Sequence, residues 1–172
     1  MELNKDTAEV FSQGMEYLGI CYGERTMKQT QLFSLLNTYV TSAAAADFEL
    51  RLYALPEEEV TVQNIAKLYS QVGHEWGLTY TIGFGANGFA RTMQFYIDPM
   101  YMISYVISSD VALQFYEMEQ KEPGSGLRHY EASLTTKEEK LLSVVKETGL
   151  RSPFAPGRVQ EVRDAFTKGF QE

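Results

Sequence analysis

Residues 25–55, RTMKQTQLFSLLNTYVTSAAAADFELRLYAL, decide the fold class. Leu32, Leu36, Tyr39, Ala43, Ala46 and Leu50 recur at alternating fours and threes, the repeat of one helix face. Phe33, Val40, Ala44 and Phe48 fill other sides, so the stretch predicts a helix buried on more than one face and central to the fold. Working outward, residues 5–22 read as a preceding helix stopped by Gly23. Pro56 and the acidic run Glu57–Glu59 close the central one, and Thr61 caps a third over 62–76, with Ile65, Leu68, Tyr69 and Val72 inward. A glycine-rich break follows, GLTYTIGFGANG at 77–88. After Asp98-Pro99 a long helix is predicted over 100–121, closed by EPGSG. Shorter helices are expected near 125–134, 136–148 and 157–170, the middle one opening on a T-x-x-E capping box, Thr136 with Glu139. The prediction is an all-α, multi-helix bundle of about seven helices, in a single helical domain spanning 1–172.

Composition supports a folded chain and removes some partners. With 172 residues it is long enough to bury about 70% of its unfolded surface. A 44% hydrophobic content, 22% charged residues and only five prolines are ordinary for a globular protein. A net charge of −8 argues against nucleic acid and anionic membrane, because counterion release needs a basic surface. Cys21 is the sole cysteine, which excludes an intrachain disulfide and a cysteine-rich metal site. The opening MELNKDTAE lacks the apolar run of a signal peptide, and the longest apolar stretch, MYMISYVI, stops at Ser108, Ser109 and Asp110. A cytoplasmic location is the resulting expectation.

Three segments carry residues with chemistry. In TAEVFSQGMEYL, residues 7–18, the residues Ala8, Phe11, Met15 and Leu18 form an apolar stripe, and Glu9 and Glu16 lie seven apart beside it, roughly 10 Å along the axis. GFGANG, Gly83–Gly88, matches G-x-G-x-x-G but lacks the preceding strand and the later acidic residue of a dinucleotide site, so it reads as a plain loop. His74-Glu75 starts like HExxH, but Leu78 stands where the second histidine belongs. His129 has no neighbouring His or Cys in the sequence to suggest a metal. Tyr101 and Tyr105 share a helix face with Ser108 or Ser109 and Ala112, a pattern that core tyrosines bonded to internal partners would also give.

The order of these segments resembles the C-terminal part of oligoendopeptidase F-type enzymes, in the M3 family of zinc metallopeptidases. AEVFSQGMEYL resembles the helix after the family's HExxH helix, in which the Glu of an E-x-x-S pattern is the third zinc ligand. QTQLFSLLNTYVTSAAAADFELRLY is similar to the helix around an A-x-F-E stretch, and QFYIDPMYMISYVISSDVALQFY to the H-F-Y-x-x-P-F-Y-x-x-x-Y segment. LLSVVKETGLRSPF resembles the closing helices. By this resemblance Glu9 takes the place of the third zinc ligand and Glu16 that of an acidic residue helping to fix the site. Tyr101 and Tyr105 match the tyrosines on the substrate and oxyanion side, where Gln94 replaces the family's His and Met100 its Phe.

The departures shape the functional expectation. The chain contains no HExxH, so two histidine ligands and the general-base Glu are missing, and a lone carboxylate does not hold zinc at useful affinity. Gln94 donates a hydrogen bond but carries no charge. Zinc is the family's cofactor, and none is expected on this chain alone. Three expectations follow: a truncated region of a metallopeptidase, inactive alone and self-associating to cover its open groove; one chain of a two-chain peptidase completed by a separate HExxH-bearing partner; or a helical module that binds short peptides, the family's substrates, without cutting them.

Overall fold

The computed structural model describes residues 5–81, 83–85 and 87–171. Eight α-helices follow in order: α1 (Lys5–Tyr22), α2 (Arg25–Tyr53), α3 (Val62–Glu75), α4 (Gln94–Ile97), α5 (Met102–Lys121), α6 (Ser125–Thr135), α7 (Leu141–Glu147) and α8 (Arg158–Gly169). Short 3-10 turns at Glu57–Glu59 and Gly88–Arg91 complete the elements, and no strand occurs among the described residues. The all-α bundle is thus the observed class, with the four-residue α4 as an extra element. Thr61 caps α3 as its sequence position implies, its side chain accepting from Asn64 N at 3.2 Å. Thr136 does not open α7. That helix starts at Leu141, and the Thr136 hydroxyl instead accepts from the Glu138 amide and donates to Glu147.

The chain divides into two compact units, Met1–Asn37 with Ile107–Glu172, and Thr38–Val106. In the first, the central element is α5 rather than α2: residues 108–116 are all buried. A helix buried all round carries polar side chains only where each finds a partner. Ser108 donates to Asp6 O at 2.8 Å, and the Ser109 hydroxyl meets Tyr17 Oη at 2.8 Å, both on α1. Gln114 bonds Arg151 twice, receiving its amide at 2.8 Å and donating to its carbonyl at 2.9 Å. Glu119 accepts from Tyr22 Oη at 2.7 Å and from the Gly124 and Leu127 amides at the start of α6.

Asp110 holds α8 to α5. Arg158 Nε lies 3.0 Å from both carboxylate oxygens, and the two side chains are only 3% and 4% exposed. Glu161 and Glu117 complete the guanidinium's surroundings at 2.9 and 3.6 Å. Desolvation is the largest influence on both partners. It raises the Asp110 carboxyl above its ordinary value even against Arg158, whereas for Arg158 the surrounding carboxylates outweigh it and keep the guanidinium charged. Around this polar spine Val10, Leu18, Val111, Phe115, Tyr130, Leu141, Val145 and Leu150 form the apolar core. Close approach needs glycine: a Cβ on Gly14 would stand 2.9 Å from the Tyr130 ring, and one on Gly126 2.1 Å from Phe115 O.

The second unit closes on aromatic rings. Phe48 of α2 meets Tyr69 of α3 edge-on at 4.9 Å, Phe84 stacks on Tyr69 at 4.9 Å, and Phe95 of α4 lies 5.2 Å from Phe48. Leu78, Val72, Ala44 and Ala45 fill the same cluster. The glycine-rich segment read as a plain loop therefore has a packing role, since Phe84 within it is 6% exposed. Tyr69 Oη donates to Gly83 O at 3.0 Å, and a Cβ on Gly88 would sit 1.6 Å from that same oxygen. On the outside of α2 and α3, Arg51 bridges Asp47 and Glu75 at 2.8 and 2.7 Å, and Trp76 Nε1 donates to Asp47.

Breaking one half of the buried pair strands the other charge. Arg158→Met is expected to cost about 3–5 kcal/mol, while the double change Asp110→Leu/Arg158→Met recovers most of that loss. Urea-unfolding midpoints of wild type, both single variants and the double variant check this.

Candidate functional site

The acidic face of α1 sits differently from the sequence stripe. Thr7, Val10, Gln13, Gly14, Tyr17, Leu18 and Ile20 are the buried residues, whereas Ala8 is exposed and Met15 is 55% exposed. The buried face is rotated because polar and small residues are drawn in by specific partners. Thr7 donates to Glu139 O at 3.1 Å, Tyr17 bonds Ser109, and Gly14 admits the rings of Tyr130 and Phe115. Glu9 is consequently half-buried at the edge of this face, and Glu16 is exposed.

The other predicted residues belong to the second unit. Gln94 opens the four-residue α4 and is half-buried. Tyr101 and Tyr105 are half-buried, and their rings meet edge-on with centroids 5.1 Å apart. The structure therefore brings the two tyrosines together, one helical turn apart where α5 begins. Glu9 and Glu16 share α1 in the first unit.

Sequence reasoning missed the residue that supports the tyrosine segment. Glu49, on α2, is 1% exposed, and its Oε1 accepts the Met100 amide at 2.8 Å. Met100 has φ +65°, a left-handed conformation uncommon for a side-chain-bearing residue. The carboxylate thus pins a strained turn directly before Tyr101. Burial pushes the Glu49 carboxyl above its ordinary value, with Asp98 adding to the rise, while the Met100 amide and Tyr53 pull the other way. Its second oxygen, Oε2, has no hydrogen-bond partner among the described residues. The signal was present in AAAADFELRLY, where the stripe reading placed Leu50 inward. Leu50 is 59% exposed and its neighbour Glu49 is buried, because the carboxylate, not the leucine, has a partner to reach.

Among the described residues no three His, Cys, Asp or Glu side chains converge as a metal site. The described donor set falls short of the three protein ligands that a catalytic zinc takes. His74 and Glu75 are exposed, with Glu75 bridged to Arg51, and His129 Nδ1 donates to Ser125 O at 2.9 Å. No helix of the described residues is long and apolar enough to cross a membrane.

No protein-family model and no curated protein matches the sequence. Among solved structures, an X-ray structure described as "putative Oligoendopeptidase F" superposes with a TM-score of 0.84 over 98% of this chain, at 22% sequence identity. The likeness is one of fold: an all-α bundle resembling part of that protein. This chain spans about a third of its length, 32%.

The raised Glu49 carboxyl makes a signed pH prediction. Its protonated form is favoured in the fold, so its contribution to stability is fully present below the unfolded value of about 4.3 and is lost as pH rises through the higher folded value. Glu49→Gln keeps an acceptor for Met100 and removes the charge, so the variant gains stability over wild type as pH goes from acid to neutral. Glu49→Ala removes the acceptor and leaves a void, at a cost of about 2–3 kcal/mol at acid pH that shrinks towards neutral pH as wild type loses the contribution of the protonated carboxyl. Melting curves of the three proteins between acid and neutral pH check both statements.

Proposed function

We propose that this chain is the C-terminal region of an M3-like, oligoendopeptidase F-type metalloendopeptidase, without activity alone because it carries no HExxH. The observation that carries the reading is the fold likeness over 98% of the chain, coupled to segments in the same order as the family's. In this reading Glu9, half-buried at the edge of the α1 core face, is a zinc-ligand carboxylate awaiting two histidines from another segment, with Glu16 on the same helix supporting it. Tyr101 and Tyr105 present two phenol hydroxyls from adjacent turns, suited to donate to a carbonyl oxygen of a bound peptide. Glu49 holds the turn that aims them. The partner is a HExxH-bearing segment, and short peptides are the substrates.

A specific substitution favours a second reading. Gln94 stands where the family has His, and an uncharged amide serves binding better than charge stabilisation during hydrolysis. In that reading the chain holds short peptides along the tyrosine segment without cleaving them.

Translating the DNA upstream of the Met1 codon separates the readings. A HExxH-encoding segment in frame or one frameshift away is the expected result, and an unrelated gene there overturns the peptidase-region reading. In solution, the chain alone is expected to leave a fluorogenic peptide uncut in the presence of Zn²⁺. Hydrolysis is expected on joining it to its upstream HExxH segment, and Glu9→Gln in the joined protein is expected to lower zinc affinity by 100-fold or more, in line with the loss of one of three protein ligands. Undiminished zinc affinity in that variant removes Glu9 from the metal site.

A further inference from the structure

A cavity of about 240 Å³ in the first unit is lined by Ile20, Arg25, Lys28, Gln29, Leu32, Tyr116, Gln120 and Gly169. Its charge is unlike that of the chain. The protein has a net charge of −8, yet two cations and no carboxylate line this cavity. Neither Arg25 nor Lys28 makes an ion pair among the described residues, although eight other arginine–carboxylate contacts join four arginines elsewhere in the first unit and one in the second. The acidic residues nearest along α5 are engaged elsewhere: Glu119 on Tyr22 and the start of α6, and Glu117 towards Arg158.

The walls are built rather than incidental. Ile20 and Leu32 are each 1% exposed and Tyr116 is 5% exposed, so an apolar floor and a phenol ring are fixed by the core. A Cβ on Gly169 would come within 2.6 Å of Leu32 and 3.0 Å of the Tyr116 hydroxyl, so glycine at the end of α8 lets that helix reach the rim. Gln29 and Gln120, both half-buried, bring amide groups to the wall. Gln120 Nε2 already donates one hydrogen to Cys21 Sγ at 3.5 Å, which fixes that side chain and leaves its second N–H and its carbonyl oxygen as the groups it offers.

We infer that this cavity binds the C-terminal end of a short peptide with an aliphatic last residue. Three chemistries meet in such a ligand and in this lining. The free carboxylate pairs with Arg25 and Lys28, the last peptide group with the Gln29 and Gln120 amides, and the aliphatic side chain with Ile20 and Leu32. The volume lies below the roughly 300–1,000 Å³ of pockets for drug-sized ligands, which suits one or two residues rather than a longer segment. The inference stands on this cavity alone and does not depend on the peptidase reading.

Titration of the 172-residue chain with acetyl-Ala-Leu, followed by NMR shifts, tests it against acetyl-Ala-Leu-amide and inorganic phosphate. The acid is expected to bind saturably, and the amide about tenfold or more weaker, as loss of charge-assisted hydrogen bonds implies. Arg25→Glu/Lys28→Glu is expected to abolish binding with an unchanged melting temperature, and Arg163→Glu, on the exposed side of α8, to leave binding intact. Lys28→Gln, a milder change, is expected to weaken the acid and not the amide, should the double variant fail to fold. Equal affinity for acid and amide, phosphate binding as tight as the acid, no saturation at millimolar concentration, or an equal effect of Arg163→Glu would each overturn the assignment.

Discussion

Burying α5 is the constraint on which the first unit depends. Nine consecutive residues, 108–116, leave solvent together, and they include two serines, an aspartate and a glutamine. Each of those polar groups, left unpaired, would cost more than a typical hydrogen bond returns. Their partners come from α1, from α8 and from the segment before α8, so satisfying one helix brings distant parts of the chain into register. Asp110 with Arg158 is the most demanding of these contacts, because both charges are desolvated and neither tolerates loss of the other. Specific bonds position the helices, and Val10, Val111, Phe115 and Tyr130 then supply the non-directional gain from burial.

The second unit solves its packing with rings and glycines. Tyr69 is touched by Phe48, Phe84, Phe89 and Phe95, so one ring gathers α2, α3 and the loop segments that follow. Gly88 lets backbone approach where a methyl group would collide, and Gly73 leaves room for the Phe84 side chain, which a methyl group would crowd at 3.1 Å. The same unit contains Glu49, whose carboxylate accepts the amide of Met100 and stabilises a left-handed turn. The turn sets where the chain passes through Tyr101 into α5. A buried acid with a raised pKa is an expensive choice for an anchor, and the expense is consistent with a conformation that must be held.

Legibility in the sequence depended on what kind of force acted. The helices of 5–22, 62–75 and 158–169 follow from apolar periodicity, a threonine cap and glycine stops, all local signals. Faces were harder. On α1 the apolar residues Ala8 and Met15 are outside while Thr7, Gln13 and Gly14 are inside, and on α2 Leu50 and Glu49 exchange the places that hydropathy gives them. The capping box at Thr136 had the right letters, yet its hydroxyl pairs with Glu147 and the helix begins five residues later. In each case a partner far along the chain outcompeted a short-range preference.

By itself, the sequence determined the helical class, most helix boundaries, the absence of HExxH and the tyrosine pair one turn apart, because these rest on periodicity, caps and composition within a few residues. Tertiary structure alone decided which side of each helix is buried, that Glu49 anchors Met100, and that Arg25 and Lys28 line a cavity without carboxylates. Those outcomes depend on which hydrogen-bond partners and which small residues meet across the fold, and a one-dimensional pattern does not record such meetings.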